Sequence, residues 1–153
     1  MHLVLVHPEI HSNTGNIART SVALGADLHL VKPLGFSLED RYLKRAGLDY
    51  WPMVRLHIHD DIAELLPTSE EYWLFSSQGR FYGDVEFGAD PWLFFGRESQ
   101  GLEPEILAAH PDRLLRIPML PGVRSLNLGN AVSIVAYEAM RQQGYPGMQR
   151  DGR

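Results

Sequence analysis

Two short polar stretches of this chain stand where a ligand could be held. GRESQGL (96–102) follows an apolar run at 92–95 and precedes a helical pattern, so Arg97, Glu98 and Ser99 come at a strand end. In parallel sheets that edge is where ligands bind. RSLNLGN (124–130) runs into a helix beginning near Asn127, and Ser125, Asn127 and Asn130 can all cap its free N–H groups. A polar loop entering a helix N-terminus suits an anionic or hydrogen-bonding ligand. The same residues would also serve as a generous cap with no ligand at all.

Several chemistries are poorly matched. Gly96 and Gly101 have the spacing of the glycines in a P-loop, but Leu102 stands where its lysine must be. Neither G-x-G-x-x-G nor the nucleophile elbow G-x-S-x-G occurs, which sets aside classical dinucleotide binding and Ser–His–Asp hydrolysis. His57 and His59, beside Asp60 and Asp61, share a strand face, yet no distant ligand set completes a metal site, and His7 and His11 fare the same. No metal is expected.

The elements that must position these loops alternate. Apolar runs of strand length occur at 3–6, 28–31, 72–75 and 92–95, with Val54, Leu56 and Ile58 alternating as in a half-buried strand. A last strand carries Leu114, Leu115 and Ile117 and stops at Pro118, before a Pro121-Gly122 pair suited to a type II turn. Helices are expected from Asn13 or Thr14 to Gly25, from Ser37 to Gly47, from Asp60 to Pro67, from Glu103-Pro104 to His110, and from Asn127 to Gly144. SSQGR (76–80) reads as a loop and 81–91 as irregular. Strands alternating with helices imply an α/β fold, a mainly parallel sheet flanked by helices.

The final helix has an informative surface. Leu128, Ala131, Val132, Val135, Ala136 and Ala139 recur at helical spacing, while Ile134 falls among Asn130, Ser133, Tyr137 and Arg141 on the other side. An apolar residue there suggests a helix covered twice, once by its own sheet and once by a second subunit.

At 153 residues the chain is expected to form one domain over 1–147, with a frayed tail at 148–153. It has no cysteine, no apolar run of membrane-spanning length and no charged region ahead of an apolar leader, so a soluble cytoplasmic protein is expected. The net charge of −5 argues against a non-specific polyanion binder. However, twelve of the fourteen basic residues are arginines, the residue suited to planar phosphate contacts, and Arg41, Lys44, Arg45 and Arg55 lie close together.

NTGNIART, LKRAGLDYW, FGRESQGL and RIPM…RSLNLGNAVSIVAYEAMRQ occur in this order. Together they resemble the motifs of the SPOUT class of RNA methyltransferases, and more closely the TrmL-type tRNA 2′-O-methyltransferases that act on the wobble nucleotide. The resemblance runs from Leu3 to about Gly147, and LKRAGLDYW is what points to the wobble type. It implies a C-terminal trefoil knot, a homodimer with the last helix in its interface, and S-adenosylmethionine as methyl donor. The implied cofactor residues are Phe75, Ser76, Gly96, Ile117, Met119, Ser125 and Leu126. The implied catalytic group is Arg19, with Asn13, Glu98, Ser125 and Asn127 as candidates for orienting the nucleophile. An arginine is a poor base in water, so Arg19 is better suited to holding phosphate and stabilising charge on the reacting oxygen. Contacts to a tRNA anticodon stem-loop would come from Arg19, Arg41, Lys44, Arg45 and Arg124. Methylation of ribosomal RNA and a non-catalytic RNA- or nucleotide-binding role remain as alternatives.

Overall fold

A computed structural model describes residues 1–39, 41, 45, 48–66 and 70–152. Within it six strands form one sheet: β1 (His2–Val6), β2 (Asp27–Val31), β3 (Leu56–His59), β4 (Tyr72–Phe81), β5 (Trp92–Phe95) and β6 (Leu114–Arg116). Their order is β3-β2-β1-β5-β4-β6, and every neighbouring pair is parallel. Three α-helices have described bounds: α1 (His11–Leu24), α2 (Pro104–Ala109) and α3 (Leu128–Gln142).

Alternation along β1 shows why the sheet is covered on both faces. Leu3 and Leu5 join Ile17 and Ala18 of α1 and Val132, Val135, Ala136 and Ala139 of α3 in one core cluster. Val4 and Val6 join Ile62, Leu65 and Leu102 in the other, with Ile106 and Leu107 of α2 packed against it. A central strand buried on both sides must be apolar at every position, as LVLV is.

The connections reverse direction at β1. From there the chain moves outward to β2 and β3, whereas β5 sits on the other flank beside β4 and β6. The carboxyl ends of β1 and β5 therefore flank the crevice that such a reversal opens.

Several expected boundaries move. The helix expected from Asn13 or Thr14 begins at His11 instead, because its N-terminus is capped by a residue far away in sequence, described below. Asp61 rather than Asp60 caps the turn Ile62–Glu64, forming a capping box with Glu64. SSQGR is not a loop between elements: β4 runs through it, and the register shift against β6 between Phe75 and Arg80 absorbs the extra residues. Gly79 permits this, since a Cβ there would lie 2.4 Å from the Leu115 backbone. Gly122 has φ +87, as a type II turn needs. Of the helix expected over 37–47, residues 40, 42–44 and 46–47, Lys44 among them, lie outside the described residues. So does Pro67. The tail is not all free, because Met148 packs against the first cluster.

On the face of the second cluster the β1–β3 flank carries histidines. His2 Nδ1 lies 3.0 Å from His29 Nε2, and His29 Nδ1 lies 3.0 Å from His59 Nε2. His2 stacks on Trp92 with ring centroids 3.9 Å apart. His57 is hydrogen-bonded to Asp27, and His59 also faces Glu64. Burial, with His57, His2 and His59 around it, lowers the His29 pKa from 6.5 to about 3, against a smaller upward pull from Asp27. Neutral His29 donates from one ring nitrogen and accepts at the other, so it needs no added proton. Below pH 6.5 the unfolded chain takes up a proton that folded His29 refuses. Its contribution therefore makes stability rise with pH between about 3 and 6.5, by at most about 1.4 kcal/mol per pH unit. We expect His29→Gln, which can still donate and accept, to flatten that slope in urea unfolding measured from pH 4 to 7. An unchanged slope would place the dependence elsewhere.

Candidate active site

A cleft of about 650 Å³ opens at the carboxyl ends of β1, β4, β5 and β6. Its walls come from four segments: the first residues of α1, the Ser76–Gln78 part of β4, the 96–102 loop, and the chain from Leu115 to Ala131. All seven residues expected at a cofactor line it: Phe75, Ser76, Gly96, Ile117, Met119, Ser125 and Leu126. So do Asn13, Glu98, Arg124 and Asn127. Apolar and polar linings are interleaved. Phe75 and Phe95 stack with centroids 4.8 Å apart at the floor, while Ser76, Ser125 and strand-end backbone provide hydrogen-bonding groups.

The 96–102 loop keeps its shape by backbone contact alone at one point. Gly101 N–H donates to the Arg97 carbonyl at 2.8 Å, with Gly101 at φ +73. A Cβ on Gly96 would sit 2.0 Å from the Gly101 carbonyl carbon. Gly96 is therefore required by the loop itself, before any ligand is considered.

Glu98 ties this loop to α1. Its carboxylate accepts from Glu9 N–H at 2.8 Å, Ile10 N–H at 3.1 Å and Asn13 Nδ2 at 3.1 Å. Glu9 returns the contact, accepting from Ser99 N–H at 2.9 Å and Ser99 Oγ at 2.8 Å. Those two donors hold the Glu9 carboxyl below its ordinary pKa. Asn13 then passes the connection on: its Oδ1 accepts from Asn127 Nδ2 at 3.0 Å, and Asn127 Oδ1 accepts from Asn130 N–H at 3.2 Å, capping α3. Three segments remote in sequence thus meet in one hydrogen-bond chain on the cleft wall.

This arrangement sorts the expected catalytic groups. The polar atoms of Asn13 and Asn127 are committed to each other, to Glu98 and to the α3 backbone. Ser125 is exposed in the cleft, and among the described residues no hydrogen bond holds its hydroxyl. Arg19 is not a lining residue of the cleft. It lies on the exposed side of α1 with its guanidinium 5.2 Å from the Tyr50 ring centroid. Arg41 and Arg45 are exposed away from the lining, and Lys44 lies outside the described residues.

Sequence reasoning missed Glu9 and Arg116, and it singled out Ser99 without its partner. The signal for Glu9 was its place three residues past Val6, the last apolar residue of the first strand, at the sheet edge where ligands bind. Nothing local marks it as the partner of Ser99.

A Gln at position 98 keeps the shape, but its amide nitrogen must replace one carboxylate oxygen and so face at least one of the three donors with another donor. We expect Glu98→Gln to lose about 1–3 kcal/mol of stability in urea unfolding. A variant as stable as the parent would show that this carboxylate is not what holds α1 to the loop.

Comparison with known proteins places this geometry. The family model for the SpoU rRNA Methylase family matches residues 1–137. A tRNA (cytidine(34)-2′-O)-methyltransferase of Saccharophagus degradans is 47% identical, covering 95% of this chain and 97% of that protein. One from Burkholderia pseudomallei is 42% identical over 95% and 97%. A solved structure concerned with 2-OH methylation of C/U34 on tRNA superposes with a TM-score of 0.88 at 49% identity, covering 94% of this chain and 95% of that one. An AdoMet-bound rRNA methyltransferase from Sinorhizobium meliloti superposes with a TM-score of 0.82 at 25% identity, over 92% and 55%.

Proposed function

The chain belongs to the SpoU methylase family, and from that premise we propose that it transfers the methyl group of S-adenosylmethionine to the ribose 2′-hydroxyl of the first anticodon nucleotide of tRNA, a cytidine or a modified uridine. The observation that carries this reading is that all seven cofactor residues implied by the motifs converge on one cleft at the sheet edge. The near full-length relatives at 47% and 42% identity bear the tRNA name, against 25% for the ribosomal RNA enzyme, which favours tRNA as substrate.

The cleft suits the cofactor, since its volume lies in the range of small-molecule sites. Its lining offers Phe75, Ile117 and Leu126 to an apolar ring, with strand-end backbone and Ser76 at polar edges. When bound, S-adenosylmethionine supplies a sulfonium methyl that is already a strong electrophile. What remains for the protein is to place a ribose oxygen in line with it and to accommodate the departing proton. The unengaged Ser125 hydroxyl orients that oxygen, while Glu98, Asn13 and Asn127 keep the wall that carries Ser125 in place. Arg124, at the rim, meets the target phosphate.

Arg19 completes the site from a second copy of the chain. Ile134 and Tyr137 on the outer side of α3 are 39% and 44% exposed in the single chain. α1 is joined to this helix by the Thr20–Ser133 hydroxyl pair at 3.2 Å. A homodimer built on that face would cover Ile134 and carry Arg19 toward the partner. The trefoil threading of the C-terminal segments and a cytoplasmic location belong to the same reading. No helix among the described residues is long and apolar enough to cross a membrane.

Mass spectrometry of nucleosides from tRNA incubated with protein and S-adenosylmethionine should show one new 2′-O-methyl nucleoside, and nuclease fragments of the same tRNA should carry the added methyl group at the first anticodon position. In single-turnover assays with both substrates saturating, Arg19→Ala should slow transfer at least about a hundredfold, the scale of losing one oriented charge-stabilising donor. Cofactor affinity should change little. A variant transferring at the parent rate would remove Arg19 from the mechanism.

The dimer has its own measurement. Ile134→Asp would put an unpaired charge in an apolar contact, at a cost of about 3–5 kcal/mol, so sedimentation should shift from dimer to monomer with loss of transfer. A parent protein that sediments as an active monomer would refute the shared site.

A further inference from the structure

The matching of basic residues to acidic ones is uneven across the molecule. Lys32 pairs with Asp60, Arg55 with Asp27, Arg97 with Glu103 and Arg141 with Glu138. Among the described residues no carboxylate pairs with Arg80, Arg113, Arg116 or Arg124. These four gather on and beside the β4–β6 edge of the sheet.

Their grouping follows from the register. Phe81 is the strand partner of Arg116, which puts Arg80 one residue from that pair. The guanidinium carbons of Arg80 and Arg113 lie 5.6 and 5.5 Å from the centroid of the same Trp73 ring, and Arg113 also lies 4.8 Å from the Tyr72 ring. The nearby Glu71 is turned to other work, accepting from Trp73 Nε1 at 3.1 Å and Gly88 N–H at 3.0 Å. Two like charges on one ring repel, and among the described residues no carboxylate forms an ion pair with either. The aromatic faces meanwhile hold both planar groups oriented, which lowers the ordering cost of meeting an external phosphate.

The edge also leads to the cleft. Arg116 and Arg124 line it. Arg113 closes the turn Pro111–Arg113 immediately before β6, three residues ahead of Arg116, so the row reaches at most about 10 Å from it. Beside Arg116 stands Phe81, 48% exposed, with one side of its ring against Gly83, where a Cβ would fall 2.5 Å from Cζ. A half-open aromatic ring among unpaired arginines is the composition of a surface that tracks a nucleic-acid backbone and stacks a base.

We propose that the β4–β6 edge, through Arg80 and Arg113 on Trp73 and then Arg116 beside Phe81, is a phosphate-binding track for the RNA strand whose ribose enters the cleft. This rests on the methyltransferase reading above for the identity of the RNA. It places an RNA contact surface apart from Arg41 and Arg45 and accounts for polyanion binding by a chain of net charge −5.

The test uses the double variant Arg80→Glu/Arg113→Glu, neither residue lining the cleft. The RNA KM should rise at least tenfold, with kcat at saturating tRNA and S-adenosylmethionine affinity by calorimetry unchanged. Binding of fluorescently labelled tRNA, followed by anisotropy across a salt series, should show a log–log slope flatter by about 1 to 2 units, the loss of two phosphate contacts. Arg80→Gln/Arg113→Gln should give the same flattening and serves if charge reversal prevents folding. An unchanged slope and KM would overturn the track and leave the edge to an acidic protein partner. The anisotropy needs no turnover. A parent protein that binds tRNA with the expected variant effect but methylates none would refute the proposed reaction and sustain the track.

Discussion

One carboxylate holds the site together. Glu98 accepts from two backbone N–H groups ahead of α1 and from the Asn13 amide, so it caps a helix that begins 87 residues earlier in the chain. An ionised acceptor at a helix N-terminus satisfies groups that would otherwise lack partners and favours the helix dipole. Because Asn13 continues the chain to Asn127, the same contact sets where α3 begins. The 96–102 loop, the first helix and the last helix are thereby fixed relative to one another at the mouth of the cleft. A local cap would have held α1 just as well, but it would have linked nothing.

The sheet makes this junction possible. An all-parallel sheet collects its carboxyl ends along one edge, and the reversal of connections at β1 leaves a crevice there. Glycine closes the remaining gaps. Gly96 lets the loop fold back on its own backbone, and Gly79 lets β4 bulge against Leu115 while staying paired with β6. Around this frame the charges are divided. Acids answer the basic residues on the β2–β3 flank, whereas the β4–β6 edge keeps its arginines open.

Much of the fold was legible in residue order. Apolar runs marked four of the six strands, as burial on both faces favours, while alternation at Leu56 and Ile58 marked β3 and Leu114-Leu115 marked β6. Pro118, the Pro121-Gly122 turn and Gly144 placed the segment around α3 to within a residue or two, since each acts through its own φ or its missing N–H. The errors share a physical cause. α1 was expected to start at Asn13 or Thr14 because caps are ordinarily local, yet both are buried inside the helix and the cap comes from Glu98. SSQGR looked like a loop because its composition is polar, yet pairing with β6 keeps it in the strand.

The candidate site divides in the same way. GRESQGL and RSLNLGN could be recognised from sequence because polar residues at a strand end or a helix start are local facts. All seven residues implied for the cofactor do line one cleft. That Asn13 and Asn127 spend their amides on each other, that Glu9 answers Ser99, and that Arg19 lies off the cleft on Tyr50 were decided by tertiary structure. These contacts join residues 31 to 114 apart, and a side chain's type fixes what it can bond but not which distant partner the packing of sheet and helices brings within reach.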